Sequence, residues 1–151
     1  MSELHAVANK MIEKGKGILA ADESTPTCIK RFEDIDTEST AHSRHVYRNM
    51  LMTSEDIEKY ISGVILFDET FHQKELSSEL TFPEYLTSKD ILPGIKVDLG
   101  LEDFGSNEKI TKGLDELSER LSKYYALGAR FAKWRAVLNI GENIPSNECI
   151  L

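Results

Sequence analysis

Cysteine, long apolar runs and basic residues are all scarce in this chain. Two cysteines in 151 residues are too few for a disulfide scaffold and favour a reducing compartment. No apolar run approaches the roughly 20 residues that span a bilayer. The 18 bases are outnumbered by 26 acids, which argues against a nucleic-acid binder or a binder of anionic membranes. Because the first residues also lack a secretory signal, we expect a cytoplasmic protein.

Apolar spacing predicts an alternation of helices and strands. Helices are predicted at residues 3 to 14, 39 to 52, 82 to 89 and 111 to 127. Strands are predicted at residues 17 to 22, 60 to 68, 95 to 98 and 130 to 140. In the second helix Val46, Met50 and Leu51 share a face, and in the fourth Leu114 opens the apolar stripe. Residues 141 to 151 have the composition of a loop.

The strands are continuous apolar runs, which is typical of a parallel sheet covered by helices. An open doubly wound sheet and a (β/α)8 TIM barrel both begin with this α/β pattern. A complete barrel takes about 250 residues, so four βα units are half of one. The chain is therefore either a small open-sheet protein or a piece of something larger.

Charged residues inside or just after the predicted strands are the main chemical signal. Lys96 and Asp98 lie two positions apart and so share one side of a strand, as do Lys133 and Arg135. Asp22 ends the first strand. An unpaired buried ion costs several kcal/mol, so these charges either pair as a structural network or form a site. Barrel active sites lie at the carboxyl ends of the strands, which favours a site.

Hydroxyls and bases follow the first strand closely. Ser24, Lys30 and Arg31 can hold a phosphate there, although an ordinary helix start with solvated bases explains them equally well. His42 and His45 lie three residues apart without a third ligand, so we predict neither a metal site nor a cofactor.

Four stretches, taken together, resemble the class I fructose-1,6-bisphosphate aldolases. They are GKGILAADEST (15 to 25), GVILFDET (63 to 70), GIKVD (94 to 98), and GLDELSER with GARFAKWRAVL (113 to 120 and 128 to 138). The resemblance runs from about residue 3 to the end. It implies a (β/α)8 barrel, of which residues 1 to 151 are the incomplete N-terminal part of one domain.

The resemblance implies reversible cleavage of fructose 1,6-bisphosphate to dihydroxyacetone phosphate and glyceraldehyde 3-phosphate, by metal-independent Schiff-base chemistry in glycolysis. Asp22 would assist carbon–carbon cleavage and imine formation, and Lys133 would stabilise charge and help proton transfer beside the imine. Lys96 and Arg135 would bind substrate phosphate, with Asp98 orienting Lys96. Residues expected to line the phosphate side are Ser24, Lys30 and Arg31.

The family's Schiff-base lysine lies on the sixth strand and has no counterpart here, so we expect this chain alone to be inactive. One alternative is an imine on Lys133 or Lys96 themselves. Another is a non-catalytic half-barrel that binds or regulates other proteins. The resemblance implies a homotetramer for a full-length protein, with cytoskeletal or other protein partners possible.

Overall fold

The computed structural model describes residues 2 to 150, which alternate between helices and strands. The helices are α1 (Glu3–Met11), α2 (Thr25–Glu33), α3 (Ala41–Met52), α4 (Asp68–Phe71), α5 (Phe82–Ser88), α6 (Leu117–Ala126) and α7 (Asn147–Ile150). The strands are β1 (Gly17–Ala21), β2 (Ile61–Leu66), β3 (Leu92–Lys96), β4 (Leu101–Phe104), β5 (Glu108–Thr111) and β6 (Phe131–Lys133). A 3-10 turn at Ile57–Lys59 precedes β2.

Four strands form one parallel sheet in the order β1-β2-β3-β6. The register places Ala21 beside Leu66, Leu66 beside Ile95, and Ile95 beside Ala132. The predicted parallel α/β sheet is thus confirmed. Within residues 2 to 150, β1 and β6 are its two edges.

The core lies between the sheet and its helices. Val64 and Leu66 of β2 and Ile95 of β3 belong to one buried cluster with Phe82 and Leu86 of α5. Each such side chain contributes about 1.5–3 kcal/mol through burial, so the cluster fixes the sheet against α5. The predicted start of α5 is confirmed by a capping box, in which the side chains of Thr81 and Glu84 each accept a hydrogen bond from the other's backbone N–H.

The opposite face of the sheet is shaped by glycine. A Cβ on Gly94 would overlap the Phe131 ring of the neighbouring strand, and one on Gly63 would lie 3.0 Å from it. The two glycines therefore leave the space that this ring occupies. Since Phe131 and Lys133 are two residues apart in β6, they share a face, and the ring lies in the layer below the Lys133 side chain.

The region after β3 differs from the prediction of a helix over residues 111 to 127. β4 and β5 form an antiparallel hairpin, with Leu101 opposite Thr111, and α6 starts only at Leu117. Gly113 and Glu116 have positive φ angles of 113° and 54°, which a right-handed helix excludes. Leu114, predicted to open the apolar stripe, is 70% exposed.

Other predicted boundaries also shift. β6 ends at Lys133 rather than continuing to residue 140, and β3 begins at Leu92, three residues early. α2 was missed although its buried residues Cys28 and Phe32 are four positions apart, because two apolar positions one turn apart are a weak signal in a nine-residue segment. α7 occupies part of the predicted C-terminal loop.

Of the three apolar residues of α3 that were predicted to share a face, Leu51 packs against the core and the other two do not. Val46 and Met50 are 42% and 59% exposed, whereas Arg44, Arg48 and Met52 are buried. Arginine is almost never fully buried unless paired. Because the partners of these arginines include groups on other elements, apolar spacing alone does not reveal that they are buried.

Candidate functional site

A lysine and an aspartate from opposite edges of the sheet form an ion pair. Lys133 Nζ, at the end of β6, lies 2.6 Å from Asp22 Oδ2, immediately after β1. In a flat sheet these strands would be about 14 Å apart, three spacings of about 4.8 Å, too far for the two side chains to meet. The sheet is therefore strongly curled, and its concave face brings the two edges together.

A second ion pair lies at the end of β3. Lys96 Nζ donates to Asp98 Oδ1 and to the Asp98 carbonyl oxygen, each at 2.8 Å. Asp98 is only 6% exposed and follows the strand rather than belonging to it. The Lys96 side chain is 15% exposed, so its ammonium is held by Asp98 at the border of the solvent. This geometry is the one expected if Asp98 orients Lys96.

Both lysines open into one cleft of about 180 Å³ at the carboxyl ends of the strands. The residues that line it are Ala20, Asp22, Glu23, Ser24, Thr27, Arg31, Lys96, Lys133 and Arg135. Four cations and two carboxylates line the cleft, and Asp98 pairs with Lys96 from behind, which leaves one positive charge in excess in a chain whose net charge is -8. A local excess of positive charge in a partly dehydrated cleft favours an anionic ligand.

The start of α2 forms one wall of the cleft. Ser24 is the N-cap residue of α2, and its hydroxyl lies 3.1 Å from that of Thr27. The Ser24 side chain makes no capping hydrogen bond to the backbone. The first turn of α2 nevertheless offers few N–H groups, because Pro26 has none and the Thr27 N–H donates to the Ser24 carbonyl oxygen at 2.9 Å. The hydroxyls of Ser24 and Thr27 are therefore the main groups on this wall that can donate to a phosphate.

Arg31 and Lys30 are adjacent in sequence but lie in different surroundings. The Arg31 guanidinium lines the cleft, pairs with Glu23 Oε1 and donates to the Tyr47 hydroxyl at 3.1 Å. Glu23 raises the pKa of this guanidinium above its already high value. Lys30 is exposed on α2 and does not line the cleft.

The structure therefore brings most of the predicted site residues together. Six of them line the cleft, namely Asp22, Ser24, Arg31, Lys96, Lys133 and Arg135. Asp98 lies behind Lys96, and Lys30 is apart. Thr27, another of the hydroxyls expected after the first strand, also lines the cleft. Sequence reasoning missed Glu23, although it had a usable signal, because it directly follows Asp22 at the end of a buried strand.

Other chemistry finds little support among residues 2 to 150. They contain no group of three or more histidine, cysteine, aspartate and glutamate side chains arranged to hold a metal ion. The helices of this part of the chain are all too short or too polar to cross a lipid bilayer. Burial raises the pKa of the Cys28 thiol, which makes it a poor nucleophile.

A curled parallel sheet with its charged side chains at the carboxyl ends of the strands defines the α/β class built as a (β/α)8 barrel. Comparison with solved structures agrees. An aldolase from Plasmodium falciparum, in a ternary complex with TRAP and a small-molecule inhibitor, superposes with a TM-score of 0.91 at 47% identity. The match covers 98% of this chain and 44% of that one, so the fold is about half of a TIM barrel.

Residues 3–151 match the family model of class-I fructose-bisphosphate aldolase, and the chain belongs to this family. A probable class 1 aldolase from Xanthomonas axonopodis pv. citri (strain 306) is 50% identical over 152 residues, covering 99% of this chain and 45% of the relative. Fructose-bisphosphate aldolase 1 of Toxoplasma gondii is 53% identical over 140 residues, covering 91% and 38%. The chain thus spans less than half the length of these relatives.

Proposed function

We propose that this chain supplies the N-terminal half of a class I aldolase site, which cleaves fructose 1,6-bisphosphate reversibly to dihydroxyacetone phosphate and glyceraldehyde 3-phosphate in glycolysis. The observation that carries the proposal is the Lys133–Asp22 pair at 2.6 Å, formed within a cleft that also presents Lys96, Arg31 and Arg135. An acid, an amine and several phosphate-binding cations are the groups that Schiff-base cleavage of a sugar bisphosphate requires.

Each residue has a role that its position supports. Asp22, 8% exposed, accepts a hydrogen bond from Lys133 Nζ and acts as the carboxylate that moves protons during imine formation and carbon–carbon cleavage. Lys133 donates to that carboxylate and stabilises negative charge as it develops on the substrate. Substrate phosphate would be bound by Lys96, oriented by Asp98, together with Arg135, and on the α2 side by Ser24, Arg31 and, at longer range, Lys30.

We also propose that the chain alone does not turn over. Covalent catalysis needs the nucleophilic amine as well as its helpers, and the family's sixth-strand lysine has no counterpart in these 151 residues. Lys133 and Lys96 are poor substitutes, because each ammonium is already paired with a carboxylate.

Borohydride trapping tests this assignment. The purified chain is incubated with fructose 1,6-bisphosphate and sodium borohydride, and its intact mass is measured. We expect no stoichiometric adduct on this chain. An adduct that peptide mapping places on Lys133 or Lys96 would instead show that the imine forms within the chain.

A non-catalytic half-barrel is the second candidate, favoured by the unpaired edges of β1 and β6 in the described sheet. Such edges add strands from other chains readily. Co-elution of this chain with a full-length aldolase in size-exclusion chromatography would support it. Elution at separate volumes would favour the catalytic assignment alone.

For the full-length protein we propose a cytoplasmic homotetramer that also binds cytoskeletal or other proteins. A relative from Arabidopsis thaliana, 51% identical over 150 residues, is named as a cytosolic aldolase, which supports the compartment. Light scattering of the full-length protein would test the tetramer.

A further inference from the structure

We infer that Arg48 is a positioning residue for the Asp22–Lys133 pair and acts through the backbone of Glu23. Arg48 belongs to α3 and is completely buried. It does not line the cleft. Its relevance to catalysis rests on the proposed function, whereas its effect on the geometry of the pair does not.

The Arg48 guanidinium joins the segments that follow two neighbouring strands. Nη2 donates to the carbonyl oxygen of Glu23, the residue directly after Asp22, at 2.5 Å. Nη1 lies 3.2 Å from Glu69 Oε2, just after β2. The guanidinium also stacks over the Phe67 ring, 5.3 Å from its centroid. One buried side chain therefore fixes the turn after β1 to the turn after β2.

This arrangement constrains Asp22 from both sides. Ala21 is the last residue of β1 and is held in register with Leu66, while the Glu23 carbonyl is held by Arg48. The intervening Asp22 has little freedom to rotate its backbone, so its carboxylate stays directed at Lys133. The hydroxyl of Tyr47, the residue before Arg48, donates to Glu23 Oε1 at 3.1 Å. α3 therefore restrains both the backbone carbonyl and the side chain of Glu23.

Stability alone does not account for a guanidinium at this position. Its Nε is buried without a hydrogen-bond partner, and such an atom opposes folding. An apolar side chain of similar volume often replaces a buried ion pair without loss of stability. What an apolar residue cannot do is hold the Glu23 carbonyl and Glu69 together.

Arg44 provides a matched control on the same helix. It is also buried and binds the same partner, with Nε 2.9 Å from Glu69 Oε2 and Nη2 2.6 Å from Oε1. Its remaining bonds go to Ser39 rather than to Glu23. Removing Arg44 disturbs the buried ion network without releasing the turn beside Asp22.

The test measures the reactivity of the Lys133 amine in the folded chain. The folded chain is methylated with formaldehyde and cyanoborohydride at fixed pH. Peptide mass spectrometry follows the methylation rates of Lys133 and of the exposed Lys14. The quantity compared between variants is the ratio of the Lys133 rate to the Lys14 rate. We expect Arg48→Met to raise this ratio by about threefold to tenfold, the effect of losing one positioned hydrogen bond. Arg44→Met should leave it within about twofold.

A second pair of variants covers the case in which Arg48→Met fails to fold by circular dichroism. Arg48→Lys and Arg44→Lys keep the positive charge. Because one ammonium cannot reach both the Glu23 carbonyl oxygen and Glu69, we expect Arg48→Lys to raise the Lys133 to Lys14 ratio and Arg44→Lys to leave it within about twofold. Equal ratios in the Arg48 and Arg44 variants would overturn the inference. Because no sugar is used, failure of the aldolase assignment would not change this result.

Discussion

Lys133 Nζ and Asp22 Oδ2 are 2.6 Å apart, although Lys133 ends one edge strand of the described sheet and Asp22 follows the other. Their contact requires the sheet to curl, and Phe131 stands in the concavity one layer below, over Gly63 and Gly94. The same curvature brings Lys96 into the cleft with Arg135. The packing of one ring against two glycines is therefore connected to the geometry of the candidate site.

The Lys133–Asp22 pair should show measurable coupling in a double-mutant cycle. The Lys133 side chain is 32% exposed and that of Asp22 only 10%, so partial screening limits the coupling to about 1 kcal/mol. The cycle uses Asp22→Asn, Lys133→Met and the double variant, with the free energy of unfolding in urea as the readout. The surface pair Lys59–Asp56 serves as the control and should couple by no more than about 0.5 kcal/mol. Equal coupling in both cycles would argue against a preorganised pair.

Gly94→Ala should destabilise the chain and displace β6. The new methyl group would overlap the Phe131 ring, and overpacking of this kind costs about 1–3 kcal/mol. Gly17→Ala is the matched strand variant, because no atom lies within 4 Å of its added Cβ. Urea unfolding compares the two, and equal stability would show that the ring is not held against the glycines.

Arg31 and Lys30 should differ in their contributions to phosphate binding. Arg31 lines the cleft, whereas Lys30 is exposed outside it. Loss of a hydrogen bond from a charged group costs about 1.5–3 kcal/mol, so Arg31→Met should weaken binding of inorganic phosphate by about tenfold or more. Lys30→Met should change it by less than about threefold, through long-range attraction only. Isothermal titration calorimetry measures both, and a larger effect from Lys30 would place the phosphate elsewhere.

Stability should depend on pH through Glu69. Hydrogen bonds from Arg44 hold the pKa of this carboxyl below its usual value of 4.5 in the folded state. The ionised form is therefore favoured by folding, and its stabilisation is complete above pH 4.5 and is lost as the pH falls through the lower, folded-state pKa. Free energies of unfolding measured from pH 7 to pH 3 should decline in this acid range.

A Glu69→Gln variant isolates this contribution. Its free energy of unfolding at pH 6 should be lower by roughly 3 kcal/mol, because the buried Arg48 charge loses its counter-ion. The fall of that free energy between pH 7 and pH 3 should also be smaller than in the wild type. Glu79→Gln, which removes an exposed partner of Lys74, should behave like the wild type. An unchanged acid slope in Glu69→Gln would show that other carboxylates set the decline.

The sequence allowed the convergence of charge at the strand ends to be predicted, since parallel strands place their carboxyl ends together. The meeting of Asp22, Lys96 and Lys133 in one cleft could be predicted on this basis. The buried face of α3 could not, because Arg48 is compensated by a carboxylate and a carbonyl oxygen distant in sequence. The β4–β5 hairpin was missed for a local reason, since residues 101 to 111 are mostly polar and lack a clear apolar alternation.

We propose that the side chains of this cleft perform aldolase chemistry once the barrel is complete. The most direct measurement is turnover of fructose 1,6-bisphosphate by this chain co-expressed with the remaining half of the Xanthomonas relative. Lys133→Met should reduce turnover by about 100-fold or more, as expected for loss of a group in proton transfer. Lys59→Met, on the exposed surface, should leave it unchanged. Full activity of the Lys133→Met complex would show that Lys133 takes no part in the reaction and would overturn the proposed role of the cleft.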